Sequence, residues 1–111
     1  SYDEMLMAFA AFYLANKNGA DVIAHVAVPV ESKVLIDMHS AGLIADFGDA
    51  PYPLIDVAGV LKARGEDPNS VDSYNAKFGL LEGREEAAGL ATHHPLYDSI
   101  AAAVAYMHLM Q

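Results

Sequence analysis

The stretch THHPLYDSIAAAVAYMHLM, residues 92–110, places two adjacent histidines and an aspartate at the start of an alanine-rich, apolar segment. Its small and apolar residues predict a helix over about 95–110, and proline suits the first turn of a helix. A helix that only filled a core would not need His93, His94 and Asp98 at its start. Two interpretations follow: these residues cap the helix, or they hold a metal ion and move a proton.

The second interpretation gives each polar residue a chemical role. Asp98 is a hard oxygen ligand for Mg²⁺ or Mn²⁺. His93 is a general base on the loop that enters the helix, because imidazole titrates near neutral pH. His94 is an alternative base, since residues 94 and 98 share a helical face when the helix starts early. Residue type alone does not separate the two histidines, whereas His108 lies too far along the same helix to join Asp98.

The segment DVIAHVAV, residues 21–28, is short and β-branched, which predicts a buried strand closed by Pro29. A helix is predicted over 30–44, with Glu31 in its first turn. Ligands of open α/β sheets gather at the carboxyl ends of strands, so Glu31 is well placed to add a carboxylate to a site. The alternative is that Glu31 only favours the helix N-terminus electrostatically. His25, inside the predicted strand, is expected to form a hydrogen bond in the core beside the site rather than to bind a metal.

The other segments predict short helices joined by loops, and hence a mixed α/β fold. Residues 2–17 have the apolar spacing of a helix, and we expect its large side chains in the core. These are Met5, Phe9, Phe12 and Tyr13.

Two shorter segments contain their own start signals. Residues 55–65 predict a short strand or turn that runs into a helix, with Asp56 as a cap or a structural hydrogen-bond acceptor. Residues 71–80 predict a short helix with Ser70 as its N-cap. A loop is predicted over 45–54, and a loop or frayed helix over 81–91.

The composition bounds the class of protein. The chain has 111 residues, 54% of them hydrophobic, which suits one domain or part of one with a real core. Its formal net charge of −9 argues against a passive, charge-driven nucleic-acid binder, but not against an enzyme whose carboxylates hold cations. It has no cysteine, so disulfides and thiolate chemistry are excluded. No apolar run approaches the roughly 20 residues that span a bilayer, and no signal peptide is evident, so we expect a cytoplasmic protein without a membrane partner.

In their order and spacing, these segments resemble the DEDDh (DnaQ-like) 3′→5′ exonucleases over nearly the whole chain. The family's last motif is a histidine, four intervening residues and an aspartate that begins a helix. The stretch from His93 to Asp98 matches this motif, with His93 rather than His94 at the histidine position. SVDSYNAKFGL, residues 70–80, resembles the helix that precedes the motif.

The family's middle motif is a strand that ends near His-Asn, followed by a helix with an aspartate in its first turn. AHVAVPVESKVLIDMH, residues 24–39, occupies that place. It has Val26 where asparagine is usual, and Glu31 where aspartate is usual, one residue further along. Asp37 is the fallback acid. The first motif, Asp-x-Glu on an opening strand, has no counterpart, so the resemblance implies that residues 1–111 are the C-terminal two-thirds of such a domain.

The resemblance implies a ribonuclease H-like exonuclease fold, an α/β fold that is incomplete here, with helices packed on a short remnant of sheet. It implies a metal-dependent 3′→5′ exonuclease acting on the single-stranded 3′ end of DNA or RNA. Glu31, Asp98 and two upstream acids would hold two Mg²⁺ or Mn²⁺ ions, with His93 as the base. Because Glu31 and Asp98 alone would hold two cations weakly, we expect residues 1–111 by themselves to be inactive.

We expect His25, His94 and Tyr97 to contact the substrate. Single-strand recognition relies on aromatic stacking, and Tyr52 and Tyr74 are further candidates for it. Members of the family often form homodimers, or are fused or bound to other nucleic-acid-processing proteins, so such partners are expected here also.

Two other functions stay open. Glu31 in place of aspartate and the missing first motif are consistent with a catalytically degenerate adaptor or assembly module. Alternatively, the chain is an unrelated α/β domain in which HHPLYD only caps a helix.

Overall fold

In the computed structural model, the described residues are 1–44, 46–51, 53–84, 89 and 94–111. They form a mixed α/β fold, as predicted, with five α-helices, one 3₁₀ turn and a two-stranded parallel sheet. None of the described helices has the length and apolar character needed to cross a membrane. The elements in chain order are α1 (Tyr2–Asn16), β1 (Val22–Ala24), α2 (Val30–Ser40), the 3₁₀ turn (Phe47–Asp49), β2 (Leu54–Asp56), α3 (Val57–Ala63), α4 (Val71–Phe78) and α5 (Pro95–Leu109).

The chain divides into two compact units. The first unit consists of Ser1–Val22 and Ala27–Ile55. The second consists of Ile23–Val26 and Asp56–Gln111. Each unit buries a hydrophobic cluster of its own.

Helix α1 packs into the core of the first unit through one of its apolar sides. Leu6, Ala10 and Tyr13 recur at helical spacing and are buried. They pack with Met38 from α2 and with Ile44. The prediction for Tyr13 is therefore confirmed.

The prediction that Met5, Phe9 and Phe12 lie in the core is wrong. Their side chains are 41%, 40% and 65% exposed. Apolar residues occur on every side of α1, so the sequence pattern does not indicate which side faces inward. The buried side is the one that contains Ala10, whose small side chain lets α1 approach α2 closely.

Strand β1 is shorter than the strand predicted over 21–28. It ends at Ala24, so the prediction that His25 lies inside the strand is wrong; this residue follows it. Val26 has a φ of 59°, in the left-handed region that β-branched residues rarely adopt, and this interrupts the extended backbone. The Val26 amide donates a hydrogen bond to the Asp56 carboxylate at 2.9 Å. The strand therefore gives way to a loop held by a side chain.

Helix α2 begins where the sequence predicts but ends at Ser40, short of the predicted range 30–44. Gly42 has a φ of 76°, a conformation that glycine adopts without strain. The Leu43 amide donates to the Met38 carbonyl oxygen at 2.9 Å, which satisfies a carbonyl of the last turn. The predicted place of Gly42 at the helix C-terminus is thus confirmed.

The core of the second unit lies among α3, α4 and α5. Val57 and Leu61 from α3 are fully buried. They belong to one cluster with Ala101 and Ala105 from α5 and with Tyr74 from α4. The alanines leave room for α5 to lie close to its neighbours. This explains why the last helix is rich in alanine.

Side-chain caps begin α3 and α4. The Ser70 hydroxyl accepts a hydrogen bond from the Ser73 amide at 3.0 Å, so the predicted N-cap of α4 is confirmed. Asp56 caps α3 by accepting from the Ala58 amide at 3.0 Å. The same carboxylate oxygen also accepts from Val26. The predicted role of Asp56 as a cap and acceptor is confirmed.

Replacing Asp56 with alanine is expected to lower the free energy of unfolding by about 1–3 kcal/mol, because two amide donors lose their acceptor. Asp56→Asn keeps an acceptor oxygen and is expected to lower it less. Urea unfolding followed by circular dichroism measures both variants. Equal losses would mean that the charge of Asp56, and not its acceptor geometry, provides the stability.

Candidate functional site

Asp98 lies in the first turn of α5, as the sequence predicts, and its side chain is exposed. The Asp98 amide donates to the His94 carbonyl oxygen at 2.9 Å, which closes the first helical turn. His94 is the N-cap, because its Nδ1 accepts a hydrogen bond from the Leu96 amide at 3.2 Å. The capping interpretation therefore applies to His94. The Asp98 carboxylate also favours the helix electrostatically, and its metal-binding role stays a prediction.

Tyr97 contacts the body of the second unit. It is half-buried, packs against the hydrophobic cluster, and donates a hydrogen bond to the Asp72 carboxylate at 3.2 Å. Burial raises the pKa of Tyr97, and the charge of Asp72 raises it further, so its hydroxyl stays a donor at neutral pH. These contacts tie α5 to α4. A role for Tyr97 in substrate binding stays a prediction, and Tyr52 lies outside the described residues.

His25 is half-buried beside the turn that precedes α4. Its Nε2 lies 2.9 Å from the Pro68 carbonyl oxygen. A carbonyl oxygen only accepts, so Nε2 carries a proton and donates to it. This bond agrees with the expectation that His25 is a hydrogen-bonded residue. Contact between His25 and a substrate stays a prediction.

The two acids of α2 have different surroundings. Glu31 is exposed in the first turn. Asp37, the fallback acid, accepts hydrogen bonds from the Lys33 ammonium at 2.6 Å and from the Tyr2 hydroxyl at 2.5 Å. Lys33 and then Tyr2 lower the pKa of Asp37. Within the described part of the chain, no residue pairs with the Glu31 carboxylate, so Glu31 is the more available acid for a cation.

The acids of the predicted site belong to different units. Glu31 is part of the first unit and Asp98 of the second. His93 and most of the predicted loop over 81–91 lie outside the described residues. Among the residues that are described, no three histidine or acidic side chains form a group able to hold a metal. The convergence of Glu31, His93 and Asp98 around two ions therefore stays a prediction.

The structure brings together one pair that sequence reasoning missed. The Tyr74 hydroxyl lies 2.5 Å from Nδ1 of His108, near the end of α5. Burial raises the pKa of Tyr74, and Glu66 adds to this, so the phenol stays protonated at neutral pH. Tyr74 is only 6% exposed, which leaves little of its ring free for stacking. The only signal in the sequence is the spacing of Tyr74 and Phe78, which puts both rings on one side of α4.

The chain was compared with known proteins at three levels. Protein-family models, curated proteins and solved structures give no significant match.

Proposed function

We propose that residues 1–111 are part of a metal-dependent 3′→5′ exonuclease of the DEDDh type, with a ribonuclease H-like fold. The observation that carries this proposal is the placement of two acids. Glu31 follows the loop after β1 and lies in the first turn of α2, and Asp98 lies in the first turn of α5. Both helix starts are the positions that the middle and last motifs of that family give to metal-binding acids. The His93-to-Asp98 spacing supports the same assignment.

The available donors suit Mg²⁺ or Mn²⁺. Glu31 and Asp98 provide hard carboxylate oxygens, which these ions prefer. Both side chains are exposed, and among described residues neither carboxylate has a hydrogen-bond or ion-pair partner. Two more acids from an Asp-x-Glu strand would complete the site in a longer protein. When bound, two such ions offset the charge that develops on the scissile phosphate and the leaving 3′ oxygen.

His93 is the proposed general base. It takes a proton from the attacking water, whose oxygen forms a bond to phosphorus while the bond from phosphorus to the 3′ oxygen breaks. The 3′ oxygen gains a proton from solvent. The products are a nucleoside 5′-monophosphate and a strand shortened by one nucleotide, with a new 3′ hydroxyl. The substrate is the single-stranded 3′ end of DNA or RNA.

The experiment is a nuclease assay of the intact protein that contains residues 1–111. Single strands of DNA and RNA labelled at the 5′ end are incubated with Mn²⁺, and the products are separated by length. We expect a ladder that shortens from the 3′ end, stops with EDTA and is lost in Asp98→Asn. Folded protein that leaves both strands intact in Mn²⁺ would contradict the proposal.

A second candidate is an adaptor or assembly module that has lost catalysis. The exposed apolar side chains of α1, among them Phe9 and Phe12, favour it, because such a surface suits a contact with another protein. Glu31 in place of aspartate also favours it. Metal titration separates the two candidates. A folded intact protein that binds no Mn²⁺ favours the adaptor, and one that binds Mn²⁺ and shortens strands favours the exonuclease.

A further inference from the structure

A cleft of about 400 Å³ lies at the C-terminal end of α5, within the second unit. It takes no part in the proposed metal site. At 1.5 Å per helical residue, His108 lies about 15 Å along the α5 axis from Asp98. The lining residues of the cleft include Arg64, Glu66, Tyr74, Phe78 and His108.

One wall of the cleft consists of aromatic rings. The ring centroids of Phe78 and His108 are 4.8 Å apart, and that of Tyr74 lies 4.9 Å from Phe78. The hydrogen bond between the Tyr74 hydroxyl and Nδ1 of His108 holds the imidazole in one orientation. Phe78 is 44% exposed although it belongs to this ring cluster. An exposed ring on a fixed support offers a stacking surface for a planar ligand.

The cleft is also lined by a cation, Arg64. Arg64 follows α3 and is exposed beside the ring wall. Glu66, an acid that also lines the cleft, pairs with Lys77, whose ammonium lies 3.1 and 3.0 Å from the two carboxylate oxygens. Within the described ranges, no acid pairs with the Arg64 guanidinium. A planar guanidinium with free donors suits a phosphate oxygen pair.

We propose that this cleft binds one nucleotide of a single-stranded nucleic acid, with the base stacked on Phe78 and His108 and the phosphate on Arg64. The choice of a nucleotide over other planar anions rests on the proposed exonuclease function. The cleft is then a second contact for the strand, at a distance from the scissile bond. Because a chain of net charge −9 repels the strand at long range, binding there depends on short-range stacking and on the local charge of Arg64.

The experiment is an NMR titration with adenosine 5′-monophosphate in EDTA, so that no metal site contributes. We expect the ring signals of Phe78 and His108 to shift, and adenosine or inorganic phosphate to bind more weakly, because each fills half of the cleft. Arg64→Gln is expected to weaken binding about tenfold or more, since a hydrogen bond to a charged group is lost. Phe78→Leu is expected to weaken it about fivefold or more.

Lys62→Gln is the matched control, because it removes one exposed positive charge from the last turn of α3, and Lys62 is not among the residues that line the cleft. It is expected to leave the affinity unchanged. The proposal would be overturned if the ring signals did not shift at millimolar nucleotide. It would also be overturned if Lys62→Gln lost as much nucleotide affinity as Arg64→Gln. If the protein shortens strands but does not bind the nucleotide in this titration, only the proposal for the cleft is overturned. If it binds the nucleotide but has no nuclease activity, only the proposed exonuclease function is overturned.

Discussion

Replacing His93 with alanine is expected to slow the Mn²⁺-dependent release of nucleotides from a 3′ end by about 10²–10⁴-fold. The variant would lack the proposed acceptor of the attacking water's proton, while the carboxylates proposed to hold the ions remain. The rate is measured on the intact protein at saturating single strand, so that a change in substrate binding does not contribute. Binding of Mn²⁺ is expected to be nearly unchanged.

Two other histidines test the assignment of the base. His39→Ala is the control, because His39 is exposed in the last turn of α2, and it is expected to keep the full rate. His94→Ala removes the N-cap acceptor of α5 and is expected to lower stability by about 0.5–2 kcal/mol, with a smaller loss of rate than His93→Ala. Equal rates for the wild type and His93→Ala would remove the proposed mechanism. A large loss of rate in His94→Ala alone would identify His94, and not His93, as the general base.

Replacing Leu61 with alanine is expected to lower the free energy of unfolding by about 2–5 kcal/mol. Leu61 is fully buried between α3 and α5. Its truncation leaves a cavity that the neighbouring alanines, Ala101 and Ala105, are too small to fill. Urea unfolding followed by circular dichroism measures the loss.

Leu96→Ala is the matched control, since this leucine is 52% exposed on α5. It is expected to change the unfolding free energy by less than about 0.5 kcal/mol. A similar, small loss at both positions would mean that the second unit does not have the packed core described above.

Elements whose signals are local could be predicted from the sequence. Ser70 and Asp56 cap helices through neighbouring amides, and Pro95 begins α5, so each boundary depends on residues close in the chain. The side of α1 that faces inward depends instead on which of its residues pack against Met38, a residue distant in sequence. For this reason the prediction that Phe9 lies in the core was wrong. Strand β1 also ends before Val26, whose amide bonds a carboxylate remote in sequence, and such a long-range contact is not visible in the local pattern.

In the candidate site also, local features could be predicted from the sequence and long-range contacts could not. That Glu31 and Asp98 lie in first turns of helices is a local property, and the sequence predicts it correctly. Whether these two acids meet depends on packing between segments far apart in the chain, which periodicity does not encode. The pairing of Tyr74 with His108 is also long-range, and no spacing rule links residues on two separate helices.

The convergence of Glu31 and Asp98 is tested most directly by a Mn²⁺ titration of the intact protein followed by NMR, because the paramagnetic ion broadens signals of nearby nuclei. We expect the signals around both residues to broaden at the same Mn²⁺ concentration and to return with EDTA. Glu31→Gln is expected to reduce the broadening around Asp98, whereas Asp37→Asn leaves it unchanged. Broadening around only one of the two acids, or around Asp98 to the same extent in Glu31→Gln, would contradict a shared metal site.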